Sequence, residues 1–294
     1  MNKKINEQKG KQKAREYYSQ EAGDYIRMYT KRWDKYPANL IRIKFIIDRL
    51  KKNKVKTVLD AGCGTCGPMI KLLKEGFDVR GFDFSKEMVQ EGKKNLEKAG
   101  YSPELVGFAD LENRLALLNQ KFDAIIALGV FPHILSEKKA LLNMKKMLNP
   151  NGIVLIEFRN ALFSAYTVNK YSLEFFVNKL IDMKSLPKKI RNEVVDFYSR
   201  VLKVDKPLRK KDGKIAYTDI LAKFHNPLNI GKELFDPIGL SVTNLHFYHY
   251  HVLPPIFENK YPKMFREMSL RMEKINDWRG YLMASAYVVE ARKN

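Results

Sequence analysis

VLDAGCGTCGP, residues 58–68, decides how this chain folds. KTVLD at 56–60 reads as a buried strand, after which the run breaks into three glycines, Gly62, Gly64 and Gly67. A helical pattern follows over 68–75, so the order is strand, glycine-rich turn, helix. Glycines permit positive φ and close approach of a ligand, and the first helical turn offers unpaired N–H groups. Asp60 stands at the strand's end, ahead of the first glycine. A carboxylate there repels a pyrophosphate but accepts from an ammonium, directly or through water. Its alternative role is to brace the turn. This placement sets the stretch apart from a bare G-x-G-x-x-G, which also fits a dinucleotide.

Working outward, the strand–helix alternation continues. VRGFD at 79–83 is a second strand, followed by a helix over 85–100 in which Ser85 caps and Glu87 favours the first turn. ELVGFAD at 104–110 gives a third strand and FDAIIALG at 122–129 a fourth. A helix over 136–152 ends in Asn–Pro–Asn–Gly, and GIVLIEF at 152–158 is the fifth strand. Apolar strands separated by helices predict a mainly parallel sheet covered on both faces. Upstream, Pro37 opens a helix over 38–50 with a stripe through Leu40, Ile43, Ile47 and Leu50; Arg42 faces away from it, toward an anionic group or water.

Beyond Phe158 the rhythm breaks for 82 residues, 159–240, before SVTNLHFYHY at 241–250. That is too long for a crossover or a structureless loop. Helical patterns near 172–182, 187–204 and 229–236, with turns at Lys206–Pro207 and Asp212–Gly213, predict a cap over the carboxyl edge of the sheet. YLMASAYVVEAR at 281–292 is a terminal strand. The chain divides into an arm and helices covering the cofactor site (1–54), a cofactor-binding core (55–158), a cap for substrate (159–240) and final strands (241–294).

The 294 residues hold 54 basic and 33 acidic side chains, a net charge of +21. Nucleic acid, an acidic surface or an anionic metabolite would all answer that charge, as would a lysine-rich solvated surface; the excess is spread along the chain. No run reaches the eighteen or so apolar residues of a membrane span, and the polar opening MNKKINEQKGKQKAR is no secretory signal, so a cytoplasmic protein is expected. Cys63 and Cys66 are too few for a disulfide framework or a four-ligand zinc site, and inside the glycine turn their spacing reads as incidental.

Two more acids fall at strand ends. Asp83, 21 residues after Gly62, is placed to accept from ribose hydroxyls. Phe84 and Met88 then flank an adenine or simply fill the core. Asp110, with Leu111 and Glu112 behind it, is placed for the adenine amino group and a ring nitrogen. Together with FDFSKEM at 82–88, FAD at 108–110, FDAIIALGVFPHI at 122–134 and LNPNGIVLIEF at 148–158, the stretch 58–68 resembles the class I S-adenosylmethionine-dependent methyltransferase superfamily. The likeness covers roughly 55–160, and 241–292 by topology.

That resemblance implies an α/β, Rossmann-like, seven-stranded, mostly parallel sheet with an antiparallel last strand, plus a largely helical cap insertion. It implies S-adenosyl-L-methionine as donor and S-adenosyl-L-homocysteine as product, held by Gly62, Gly64, Asp83, Asp110 and Leu111, with Leu128 and Gly129 along the methionine side. Gly67 completes the turn, and Asp60, Phe84 and Met88 join the set. The amino-terminal aromatics Tyr17, Tyr18, Tyr25, Tyr29, Trp33 and Tyr36 recur among polar residues; Tyr17, Tyr18 and Tyr25 are read as a flap over the cofactor, with Tyr18 and Tyr25 assigned to the cofactor site, or else they dock the arm. FRNALFSAYTVNKYSLEFF at 158–176 and HFYHYHVLPPIFE at 246–258 are similar to small-molecule and glycan O-methyltransferases of bacterial polysaccharide clusters.

An alcohol acceptor needs a base. His249 is the first candidate and His133 the second; packing is the alternative for both, and for His133 so is capping the helix that begins near Ser136. An extended strand puts His249 and His251 on one face with Phe247, and His246 on the other. No metal site is expected, because no acid lies between those histidines. Glu157 and Arg159 share a face and either pair or meet an anionic group. The expected substrate is a small molecule or carbohydrate, anionic ones included, ahead of RNA or another polyanion. N-methylation and donor binding without turnover are the other readings.

Overall fold

The apolar runs do become strands. The computed structural model describes residues 2–29, 36–113, 119–202, 220–274 and 277–293; Trp33 and the turns at Lys206–Pro207 and Asp212–Gly213 lie outside them. Among the described residues the strands are β1 (Thr57–Ala61), β2 (Asp78–Asp83), β3 (Val106–Phe108), β4 (Phe122–Ala127), β5 (Leu148–Arg159), β6 (Leu240–Tyr250) and β7 (Ala284–Lys293). They form one sheet in the order β3-β2-β1-β4-β5-β7-β6. The pairs from β3 to β5 are parallel, and β7 is antiparallel to both of its neighbours. The order reverses between β1 and β4, which opens a crevice at their carboxyl ends.

Helices cover both faces because the central strands are apolar on both. On one side α2 (Ala38–Lys52), α3 (Gly67–Lys74) and α4 (Lys86–Lys98) bring Ile43, Ile46, Leu50, Met69, Leu72 and Leu96 onto Val58, Ala124, Ile126 and Leu155. On the other, α5 (Glu137–Met147) packs Leu141, Met144 and Met147 against Leu59, Ile125, Val154 and Ile156. Each fully buried side chain of this size contributes about 1.5–3 kcal/mol. Asp123 fixes where β4 starts: its carboxylate accepts from the N–H groups of Lys56 and Thr57, both at 3.0 Å.

Several expected boundaries move. β5 begins at Leu148, because the Asn149–Gly152 turn is a bulge within the strand that shifts its register on β4. Residues 281–283 belong to the short helix α10 (Arg279–Met283), and the last strand starts only at Ala284. Near 229–236 the chain makes a π-helical turn and a 3-10 turn rather than an α-helix. In α2 the buried positions are Arg42, Ile43, Ile46 and Leu50, so Arg42 is buried and, of the two environments expected for it, meets an anionic group, Glu157, rather than water.

After β5 the chain forms a helical insertion: α6 (Phe163–Thr167), α7 (Lys170–Phe175) and α8 (Lys188–Val201). α9 (Pro262–Met272) follows β6. At the amino end α1 (Asn2–Tyr25) lies against α4 and the loop after β4.

Candidate functional site

The glycine turn is clamped on both sides. The N–H groups of Gly62 and Cys63 donate to the Phe82 carbonyl at 2.8 and 3.0 Å. Gly62 has φ +83°, and a Cβ there would sit 2.3 Å from Val130 Cγ2, so this position admits no side chain. Cys66 caps α3 in a left-handed conformation. Both thiols are buried and free, and hydrogen bonding to Cys66, then burial, pushes the Cys63 thiol well up. A protonated, enclosed thiol is a poor nucleophile.

The three acids meet one cavity, and each is held differently. Asp60 is 1% exposed, and its Oδ2 has no hydrogen-bond partner. Burial and then the charge of Asp83 push its carboxyl up to about 7, against the pull of Arg42. Asp83 accepts from the N–H groups of Gly64 and Ser85, both at 2.9 Å. Burial pushes it up to about 6, and those N–H groups pull it back. Asp110 accepts from Lys11 Nζ at 2.8 Å and from the Glu112 N–H at 3.0 Å.

Of the remaining candidates, Phe84, Met88, Leu111 and Leu128 line the cavity, together with Gly62 and Gly64. Gly67 does not line it. A Cβ at Gly67 would lie 2.4 Å from the ring of Tyr29, so this glycine lets the amino-terminal segment settle onto α3. Tyr18, Tyr25 and Tyr29 all reach the cavity wall, with Tyr18 and Tyr25 edge to face at 6.0 Å.

His133 lines the cavity in the loop after β4. Its Nδ1 faces the Leu221 carbonyl at 2.5 Å, which makes Nδ1 the protonated nitrogen. Nε2 is thus the acceptor for the Tyr18 hydroxyl at 2.9 Å. Burial, then Arg159, pushes this imidazole down to about 4, so it is neutral at physiological pH. The helix-capping role that His133 was offered falls instead to Glu112, whose carboxylate accepts from Ser136 N–H at 2.6 Å and Leu135 N–H at 3.2 Å.

His249 is not among the residues lining this cavity. Its ring lies 4.9 Å from Tyr36 and 4.8 Å from His251. It does not share a face with Phe247 as an extended strand requires. His249 has φ +59°, and this left-handed residue breaks the alternation: Phe247 and Tyr250 join one core face, Tyr248 the other. His246 stacks on Phe45 at 3.6 Å, and His251 is buried against Phe163 and Phe265 with neither ring nitrogen bonded.

Glu157 is engaged by Arg42, which also donates to the Tyr29 hydroxyl at 3.0 Å and reaches Tyr248. Burial opposes the charge on Arg42, but Glu157 and the surrounding tyrosines outweigh it and hold the guanidinium well up. Sequence reasoning missed Lys11, Tyr29 and Glu112 as cavity residues. Lys11 sits in a uniformly polar helix whose composition marks no face. Glu112 was legible only as an acid beside Asp110. Among the described residues no group of three or more His, Cys, Asp or Glu side chains is placed to hold a metal ion.

Comparison with known proteins gives the chain's family. A family model described as a methyltransferase domain matches residues 52–224. A glycine/sarcosine N-methyltransferase of Halorhodospira halochloris is 33% identical over 153 residues, 49% of this chain and 56% of that protein. A ubiquinone biosynthesis O-methyltransferase of Pasteurella multocida is 24% identical over 71% of this chain and 88% of its own length. The chain spans about half the length of the glycine/sarcosine N-methyltransferases it matches. Among solved structures, magnesium protoporphyrin IX methyltransferase of Synechocystis PCC 6803, crystallised with SAH, superposes with a TM-score of 0.55 at 16% identity, over 97% of this chain and all of that one. That last likeness is one of fold.

Proposed function

The chain belongs to the methyltransferase-domain family, and on that premise we propose that it transfers a methyl group from S-adenosyl-L-methionine to a hydroxyl of a small-molecule acceptor. The observation that carries the donor is Asp60: a buried carboxylate with an oxygen left unpartnered costs about 1–3 kcal/mol or more unless a ligand completes it. An amino-acid ammonium is the matching donor, and charge on both sides makes the bond strong. Asp83 still has lone pairs free for two ribose hydroxyls, and Asp110 with the Leu111 N–H suits an adenine edge. When bound, the sulfonium supplies an electrophilic methyl group.

For the acceptor, the residues of this chain move a proton. Tyr18 O accepts from the acceptor hydroxyl while its own proton passes to His133 Nε2, and the Leu221 carbonyl holds the opposite edge of the imidazolium so formed. An unprotonated amine acceptor needs no such relay, so the Tyr18–His133 pair supports the hydroxyl reading. Titration calorimetry with S-adenosyl-L-homocysteine tests the donor; no heat at high micromolar ligand overturns it. Turnover on a panel of alcohols, carbohydrates, amines and RNA then tests the acceptor. If His133→Ala turns over its best substrate as fast as the parent while His249→Ala slows, the base is His249. If neither changes, transfer to nitrogen is the better reading. Donor binding with no acceptor modified points to a binding protein.

A further inference from the structure

The insertion carries a face that the donor cavity does not use. α8 has no buried side chain, unlike α9, where Phe265, Ser269 and Met272 are buried. Its apolar residues Ile190, Val194, Phe197 and Val201 recur at helical spacing within an arc of about 60°. Ile190, Phe197 and Val201 are 44%, 53% and 60% exposed. Tyr198, whose ring lies 4.9 Å from Phe176, contacts the rest of the insertion from one side of that stripe, and Val194 is half-buried. Among the described residues none buries this face, and a helix of 14 residues with its apolar face uncovered is marginal in water.

The charges around the stripe say what covers it. Arg191 borders one side; Arg200 and Lys189 border the other, together with Glu193 and Asp196, and Lys188 and Lys184 lie at the amino end. Cations therefore outnumber acids by five to two over 184–200. A second copy of the chain is disfavoured by the repulsion between two molecules of charge +21. Single-stranded nucleic acid prefers aromatic platforms, whereas this stripe is aliphatic apart from Phe197.

We infer that α8 docks on the surface of an anionic lipid bilayer, its apolar stripe at the headgroup boundary and its flanking cations on the phosphates. This does not rest on the donor reading. It is tested by sedimenting the full chain with vesicles of phosphatidylcholine alone, or of phosphatidylcholine and phosphatidylglycerol in equal parts. The anionic vesicles should retain the chain about tenfold more strongly or better. Phe197→Glu with Val201→Glu should abolish that retention while the thermal melt is unchanged, since both positions are exposed; Phe197→Leu should keep it. No retention on anionic vesicles overturns the proposal, as does retention that survives the double glutamate variant. A parent dimer in sedimentation velocity that the double variant turns into monomers also overturns it, by assigning the face to a second copy.

Discussion

Asp60 and Glu157 stand near the carboxyl ends of β1 and β5, both buried, and their surroundings treat them in opposite ways. Glu157 has its countercharge built in: Arg42 reaches it from α2 and ties Tyr29 and Tyr248 into the same group. Asp60 has an oxygen without a partner and a carboxyl pushed up to about 7. One acid is completed by the fold. The other is completed, on the proposed reading, only by a ligand. The difference teaches that a buried acid marks a binding site when the chain has left it unsatisfied, not merely when it is buried.

The largest test of that contrast is Glu157→Ala, which leaves the Arg42 guanidinium buried without its acid. We expect a loss of about 3–5 kcal/mol in stability, read from denaturant titration. A variant as stable as the parent would remove the contrast. Next is Asp60→Asn. Its effect falls on the donor, with affinity reduced by about 1.5–3 kcal/mol, some ten- to a hundredfold, in calorimetry with S-adenosyl-L-homocysteine. Its thermal midpoint should hold or rise, because an uncompensated charge is removed. A lower midpoint with unchanged donor affinity would make Asp60 a brace for the turn.

Proton linkage sharpens the same comparison. Asp60 at about 7 and Asp83 at about 6 both exceed the ordinary 3.8, so the folded chain holds protons that the unfolded chain releases. Their contribution to stability is present below about pH 3.8 and is lost as pH rises through about 6 and 7. The histidines run the other way. His133, His246 and His249 at about 4, and His251 at about 3, fall below the ordinary 6.5 because burial opposes their charge. Their contribution is present above 6.5 and is lost as pH falls through about 4. Melts at stepped pH should therefore show the parent losing stability below about pH 6.5, and Asp60→Asn gaining on the parent as pH rises toward 7. Donor affinity should weaken as pH falls through about 7, since a protonated Asp60 has no charge to offer. A flat donor profile would break the link between Asp60 and the ammonium.

The smallest expected effect is that of Tyr18→Phe. It removes one hydrogen bond and leaves His133 Nε2 without its donor, a change of about 0.5–1.5 kcal/mol. On the relay reading, turnover on an alcohol falls further than donor affinity does. Equal losses in both would make Tyr18 a part of the flap alone.

How much was legible follows from how local each signal is. Strand, turn and helix at 56–75 are written in adjacent residues, because hydrophobic periodicity and glycine conformation act over a few positions. Asp83 and Asp110 were readable because parallel strands end at one edge, so acids closing successive strands must come together. Arg42 was legible as a residue off the apolar stripe with an anionic group as one of its two expected partners, but a helical wheel cannot show that the anion is a distant glutamate on β5. His249 was misplaced because alternation assumes extended backbone throughout, and a single left-handed residue reverses every side chain beyond it.

By itself, then, the sequence determined the α/β order and the glycine turn, since each depends on neighbours in the chain, and it marked Asp60, Asp83 and Asp110, with Gly62 and Gly64, as the residues of one site. The tertiary structure alone decided which acid is satisfied and which is not, that His133 rather than His249 lines the cavity, and that Lys11 and Tyr29 close its wall. Those outcomes depend on contacts between residues on different elements, from 13 positions apart for Tyr29 and Arg42 to 115 for Arg42 and Glu157, or on one backbone dihedral. Local pattern carries neither.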